Sequence, residues 1–139
     1  MRLFAGSRSY DLTWRALVVD GRGGPAFAPA ADGPALARAI SGGAALVHLP
    51  RPTGELLRRC AQAGLAVIVP PEAVPGALEA GLAVERVVPD NLLLDVTGAA
   101  CPTAATAVGV IRGARIVRAA DVRGAGRVCD VLAAVLEAR

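Results

Sequence analysis

Apolar residues fall along this chain in short unbroken blocks rather than in strict alternation. The blocks are Arg15–Asp20, Ala44–Leu49, Leu65–Val69, Leu92–Val96 and Ala114–Val117, the last running into Arg118. Unbroken apolar runs predict strands covered on both faces, as in a parallel sheet. Helical signals separate them. Pro34 opens a helix to Ser41, ended by Gly42-Gly43. Thr53 with Glu55 starts one to Gln62, followed by Ala63-Gly64. Glu72–Ala80 precedes Gly81, and a helix from Pro102 to Ile111 stops at Gly113. A last helix leaves near Asp121, and its early glycines, Gly124 and Gly126, predict a regular start near Arg127. Val84–Val88 reads as a short strand or a bridging turn before Pro89-Asp90-Asn91. Gly21-Arg22-Gly23-Gly24-Pro25 is a glycine loop, continued by a Pro/Ala tract to Gly33. Residues 1–14 form an irregular arm or edge strand, with Trp14 expected to anchor it.

Strand and helix thus alternate about five times across one domain, residues 1–139. That pattern predicts an α/β fold with a parallel sheet and right-handed crossovers. In such folds ligands sit beyond the carboxyl ends of the strands. Asp20, His48, Asp95 and Arg118 all stand at such ends.

A 54% hydrophobic composition and a mean hydropathy of +0.50 raise the question of a membrane. No apolar run approaches the roughly 20 residues a span requires, and a sheet buried on both faces accounts for the excess. The N-terminus lacks the long apolar region of a signal peptide, so the cytoplasm is expected. Net charge is +3, and all fifteen basic residues are arginine. They are dispersed, with only Arg58 and Arg59 adjacent, which gives nucleic-acid binding no support. An odd count of three cysteines argues against a disulfide framework. Cys60, Cys101, Cys129 and His48 lack metal-ligand spacing. No G-x-G-x-x-G and no Walker lysine occur, so neither metal nor cofactor is expected.

Each candidate has a functional and a structural reading. Asp95, at the end of a Leu-rich strand, is a substrate-end carboxylate or a cap for the Thr97-Gly98 amides. Arg118, with the helix N-terminus after Gly98, could make an anion site, or it pairs with Asp95 or Asp121. His48 is the only histidine, either an acid or base near neutral pH or a hydrogen-bonded structural residue. The Gly21–Gly24 loop with Arg22 could cradle a phosphate. Cys101 at a helix start is a nucleophile or a buried small hydrophobe. Cys60 and Cys129 read as core.

The stretch Pro102–Val122, "PTAATAVGVIRGARIVRAADV", followed by an amphipathic helix, resembles the C-terminal end of dihydropteroate synthase, a pterin-binding TIM barrel. In that family a strand of the form I-x-R-V-H-D-V holds phosphate or substrate. Arg118 matches its Arg, Asp121 its Asp, and Ala120 stands at its His. "NLLLDVTGA" is similar to the family's I-L-L-D-P-G strand, with Asp95 on the Asp. The front half, "RALVVDGRGGPAF…ALARAISGGAALVHL", follows the first two family strands in outline. There Arg22 takes the Asn position, Ala26 the Asp of N-V-T-P-D-S-F, and His48 the second-strand Asp. Arg51-Pro52-Thr53 replaces G-E-S, and the S-x-K motif cannot occur in a chain without lysine. The chain is about half the roughly 250 residues of a typical TIM barrel, so the resemblance implies a truncated one.

The resemblance implies three functions. One is a non-catalytic homologue that binds a partner, a second copy or a full-length relative, or is structural. Another is a phosphate- or pterin-binding protein or enzyme built on Asp20, Arg22, Asp95, Arg118 and Asp121, with His48 and Asp95 as catalytic candidates. The third is an active synthase of folate biosynthesis, joining a pterin diphosphate to p-aminobenzoate. Five strands leave the sheet either open or completed by another chain, and the apolar composition favours a twofold homodimer.

Overall fold

The computed structural model describes residues 2–20 and 25–138. The chain opens with an antiparallel hairpin, β1 (Arg2–Ala5) and β2 (Arg8–Asp11). Parallel-paired strands follow: β3 (Leu17–Val19), β4 (Phe27–Pro29), β5 (Leu46–His48), β6 (Ala66–Val69), β7 (Val87–Pro89), β8 (Leu93–Asp95) and β9 (Ile116–Arg118). They form two sheets, ordered β4-β5-β6-β7 and β3-β9-β8. The helices are α1 (Gly33–Ser41), α2 (Gly54–Gln62), α3 (Val74–Glu79), α4 (Pro102–Ile111) and α5 (Val122–Glu137). Gly43, Gly64 and Gly113 follow α1, α2 and α4 with φ of 79°, 68° and 113°. Each supplies the left-handed residue that turns a helix end into the next strand.

Side-chain alternation along the strands divides the core in two. Leu17, Val19, Leu46, Ala66, Ile68, Val88 and Ile116, drawn from both sheets, meet in one buried interior. Leu3, Ala5 and Leu12 of the N-terminal segment join that cluster. The opposite faces of the strands pack under helices. Val47, Val67, Val69 and Val87 lie with Leu36, Leu56, Leu57, Cys60 and Ala77 of α1, α2 and α3. Val117 lies with Val110, Ala125 and Cys129 of α4 and α5. Strands inside, helices outside and a shared interior make this an α/β, truncated TIM-barrel-like fold, as the block pattern predicts.

Four details differ from the sequence reading. The Pro/Ala tract contains a strand, β4, at the edge of its sheet, where Pro29 costs no ladder bond to a further neighbour. The N-terminal arm is a regular hairpin held by Leu3 and Leu12, while Trp14 is 51% exposed and is not part of that core cluster. Helix α5 starts at Val122 rather than near Arg127. Its first turn is capped by Asp121, whose carboxylate accepts from the Gly124 amide at 2.9 Å, and a Cβ on Gly124 would collide with that carboxylate. Cys101 is exposed at the start of α4, not buried.

Candidate functional site

The strand ends converge on one mouth. Residues two apart share a face, so His48 follows Leu46, Arg118 follows Ile116 and Asp95 follows Leu93 onto the interior side. Register sets their neighbours. Arg118 lies between Val19 of β3 and Asp95 of β8, and His48 lies between Pro29 of β4 and Ile68 of β6. Beyond the strands, Asp20, Phe27, Pro29, Thr97, Arg118, Ala119 and Ala120 line a cavity of about 270 Å³. Larger grooves, of about 370 to 470 Å³, lie elsewhere, and none is lined by His48, Asp95 or Arg118.

Arg118 organises the mouth. Its guanidinium lies over the Phe27 ring, 5.8 Å from the centroid. Its Nη1 donates to Asp95 Oδ2 at 3.3 Å. That ion pair is long and both partners are about half exposed, so it contributes little by itself. The aromatic face below holds the guanidinium plane in place. Five N–H donors in a rigid fork then suit a carboxylate or phosphate.

Asp95 serves the turn as well as the pair. Its Oδ1 accepts from the Thr97 hydroxyl at 2.6 Å and the Thr97 amide at 2.9 Å. Partial burial pushes its carboxyl up. The Thr97 hydroxyl and amide, and after them Arg118, outweigh that, and its pKa falls below the usual 3.8. It is ionised at neutral pH. Both structural readings of Asp95 and Arg118 are thus realised together, and they fix a cation and an anion side by side at the mouth.

His48 is half-buried, and its Nε2 is buried without a hydrogen-bond partner among the described residues. Burial lowers its pKa from the usual 6.5; Asp90 opposes this and Arg118 adds to it. The ring is therefore a neutral imidazole at pH 7. A buried nitrogen left unsatisfied is a hydrogen-bonding position in waiting.

Of the remaining candidates, Asp20 is half-buried in the cavity wall. Asp121 is exposed, and its carboxylate caps α5. Arg22 and the phosphate-cradle reading of Gly21–Gly24 lie outside the described residues. Phe27, Thr97 and Asp90 belong to the mouth, and sequence reasoning missed them. Thr97 carried a usable signal, since Asp-x-Thr after a strand forms a side-chain-closed turn. Asp90 carried one too, in Pro89-Asp90 at the end of an apolar run.

No family model matches the sequence, and no curated protein matches it significantly. Solved structures do match in three dimensions. One is the dihydropteroate synthase of Yersinia pestis, with a TM-score of 0.69, 13% identity and 99% of each chain covered. A Yersinia pestis structure with a pterine-sulfa conjugate gives a TM-score of 0.75 at 13% identity, covering 100% of both chains. The 7,8-dihydropteroate synthase of Vibrio fischeri gives 0.70 at 13% identity, covering 100% of this chain and 99% of that one. The chain has a dihydropteroate synthase-like fold.

Proposed function

We propose that this chain is a dihydropteroate synthase-related binding protein without synthase activity. It takes a small phosphate- or pterin-like ligand at the strand-end mouth. The observation that carries this reading is Arg118, laid over Phe27 and held beside Asp95 in the wall of the strand-end cavity. A guanidinium fork recognises phosphate oxygens. The Phe27 ring adds a flat apolar wall, and His48 and Asp95 offer a donor or acceptor and an anion to ring nitrogens. The departures already described support a loss of catalysis: no lysine anywhere in the chain, His48 in place of an acid, and Ala120 in place of a histidine. Unpaired cysteines fit a reducing compartment, the cytoplasm.

Calorimetry tests it. Pyrophosphate, 7,8-dihydropterin diphosphate and pterin are titrated into the protein and into Arg118→Ala. Heat with at least one ligand, abolished in the variant, is the expected result, with no dihydropteroate formed when p-aminobenzoate is added. Silence with all three ligands removes the binding reading, and turnover removes the non-catalytic one. A partner-binding role is the second reading, favoured by the apolar outer surface of α4 and α5.

A further inference from the structure

Three glycines stand inside the last two helices, and the fold explains two of them. A Cβ on Gly109 of α4 would collide with the Leu94 side chain, and one on Gly124 of α5 with the Asp121 carboxylate. Gly126 of α5 is different. Its φ is not positive, and among the described residues nothing lies within 4 Å of where its Cβ would stand. Glycine is the poorest helix former after proline. Neither backbone conformation nor packing within the chain accounts for it at this position. A third use of glycine is to let a ligand approach the backbone closely.

Gly126 opens onto a groove of about 410 Å³ between β2, β3 and α5. That is the size of a site for a small organic molecule. Leu12, Leu17, Val18 and Val122 make its lining largely apolar. Three charged residues also line it. Asp11 is fixed by the turn after β2, where its Oδ1 accepts from the Thr13 hydroxyl at 2.8 Å and the Thr13 amide at 3.0 Å. Asp130 stands one turn along α5 from Gly126. Arg15 is the one cation of the lining, and its Nε already donates to Glu137 Oε1 at 3.4 Å. Arg2, opposite Asp11 in the hairpin, does not line the groove. Two carboxylates against one paired guanidinium leave an acidic rim above an apolar floor. The Tyr10 ring in the wall offers a further surface suited to a cation.

We propose that this groove binds a small organic cation, an ammonium group on an aromatic or aliphatic body. The body lies against Leu12, Leu17 and Val18 in the space that Gly126 leaves open, and the ammonium is held by Asp11 and Asp130. The groove shares no lining residue with the cavity at the strand-end mouth. The inference does not depend on what the mouth binds.

Titration of isotope-labelled protein, followed by NMR, tests it with three probes of similar shape: phenethylammonium, neutral phenylpropanol and anionic phenylpropionate. The expected result is a saturable shift of the Gly126 and Tyr10 amides with the cation. The alcohol should bind about fivefold more weakly, since the rim charges are exposed, and the carboxylate not at all. Asp130→Asn should weaken the cation about threefold and leave the alcohol unchanged. Gly126→Leu should fill the groove and abolish binding of both, with unchanged circular dichroism and a Tm no lower than wild type, because leucine is the better helix former. Asp130 is exposed, so its variant decides the matter even where the leucine variant fails to fold. No saturable shift with phenethylammonium overturns the proposal. So does carboxylate binding as tight as that of the cation, or cation binding that Asp130→Asn and a folded Gly126→Leu leave unchanged.

Discussion

Replacing Ile68 with alanine tests whether the space between the two sheets is a packed core below the mouth. Ile68 lies on β6, inside the four-stranded sheet, and is 0% exposed among Leu46, Val88 and Ile116. The change removes three carbons. At about 0.8 kcal/mol each, transfer alone costs about 2.4 kcal/mol. The cavity left behind adds to this, and Ile→Ala in a core costs roughly 2–5 kcal/mol in all. A value near 3.5 kcal/mol is expected here, because strands on either side hold the walls apart. With roughly 2.1 cal/mol/K of unfolding entropy per residue and 139 residues, that lowers Tm by about 12 °C. Val84→Ala is the control. Val84 is 69% exposed, and its truncation should cost less than about 0.5 kcal/mol. Urea unfolding of the three proteins measures both values. A cost below about 1 kcal/mol for Ile68→Ala would refute the reasoning, because it would mean an interior already loose or open to water.

Other consequences follow from single groups. Asp121→Ala removes the α5 cap and should cost about 1 kcal/mol in urea unfolding, with no loss of ligand binding. Asp95 has its pKa lowered in the folded chain, so its contribution is full above the ordinary value of 3.8 and is lost as pH falls through the folded value; Asp95→Asn should flatten the acid limb of Tm against pH. His48 also has a lowered pKa, so the unfolded chain protonates first and stability declines as pH falls below 6.5. As the only histidine, it can be titrated by NMR without assignment, and a midpoint above 6.5 would contradict the burial account. Cys101 is exposed, Cys60 has its thiol pushed up to about 11 by burial, and Cys129 is raised by burial as well. A disulfide reagent should therefore titrate one fast thiol in the native protein and all three after denaturation.

The strand ends were the most legible part of the chain. Asp95 and Arg118 close apolar runs that differ little in length, and adjacent parallel strands then set them side by side. The helix boundaries at Gly43, Gly64 and Gly113 were legible because a left-handed residue is needed there. Strand β4 was not, because Phe27–Pro29 carries proline where a central strand could not, and only its edge position permits it. Trp14 misled because size was taken for burial, whereas the smaller Leu3 and Leu12 fill the space beneath the sheets. The start of α5 misled because glycine's cost in a helix was counted without the cap: Gly124 leaves room for Asp121 to reach the first free amide. Phe27 joined the site through a ring contact that depends on how two separate sheets meet, which no local pattern encodes. The resemblance to dihydropteroate synthase held at the level of fold, through contacts between distant segments, where the sequence identity is only 13%.

The central claim is that Arg118, Phe27 and His48 form one ligand site. The His48 ring signals, followed by NMR during addition of pyrophosphate and then of 7,8-dihydropterin diphosphate, test it most directly. The account predicts a saturable shift of His48 with at least one of them, absent in Arg118→Ala. A His48 signal that stays fixed while either ligand binds elsewhere, or while neither binds, would contradict it.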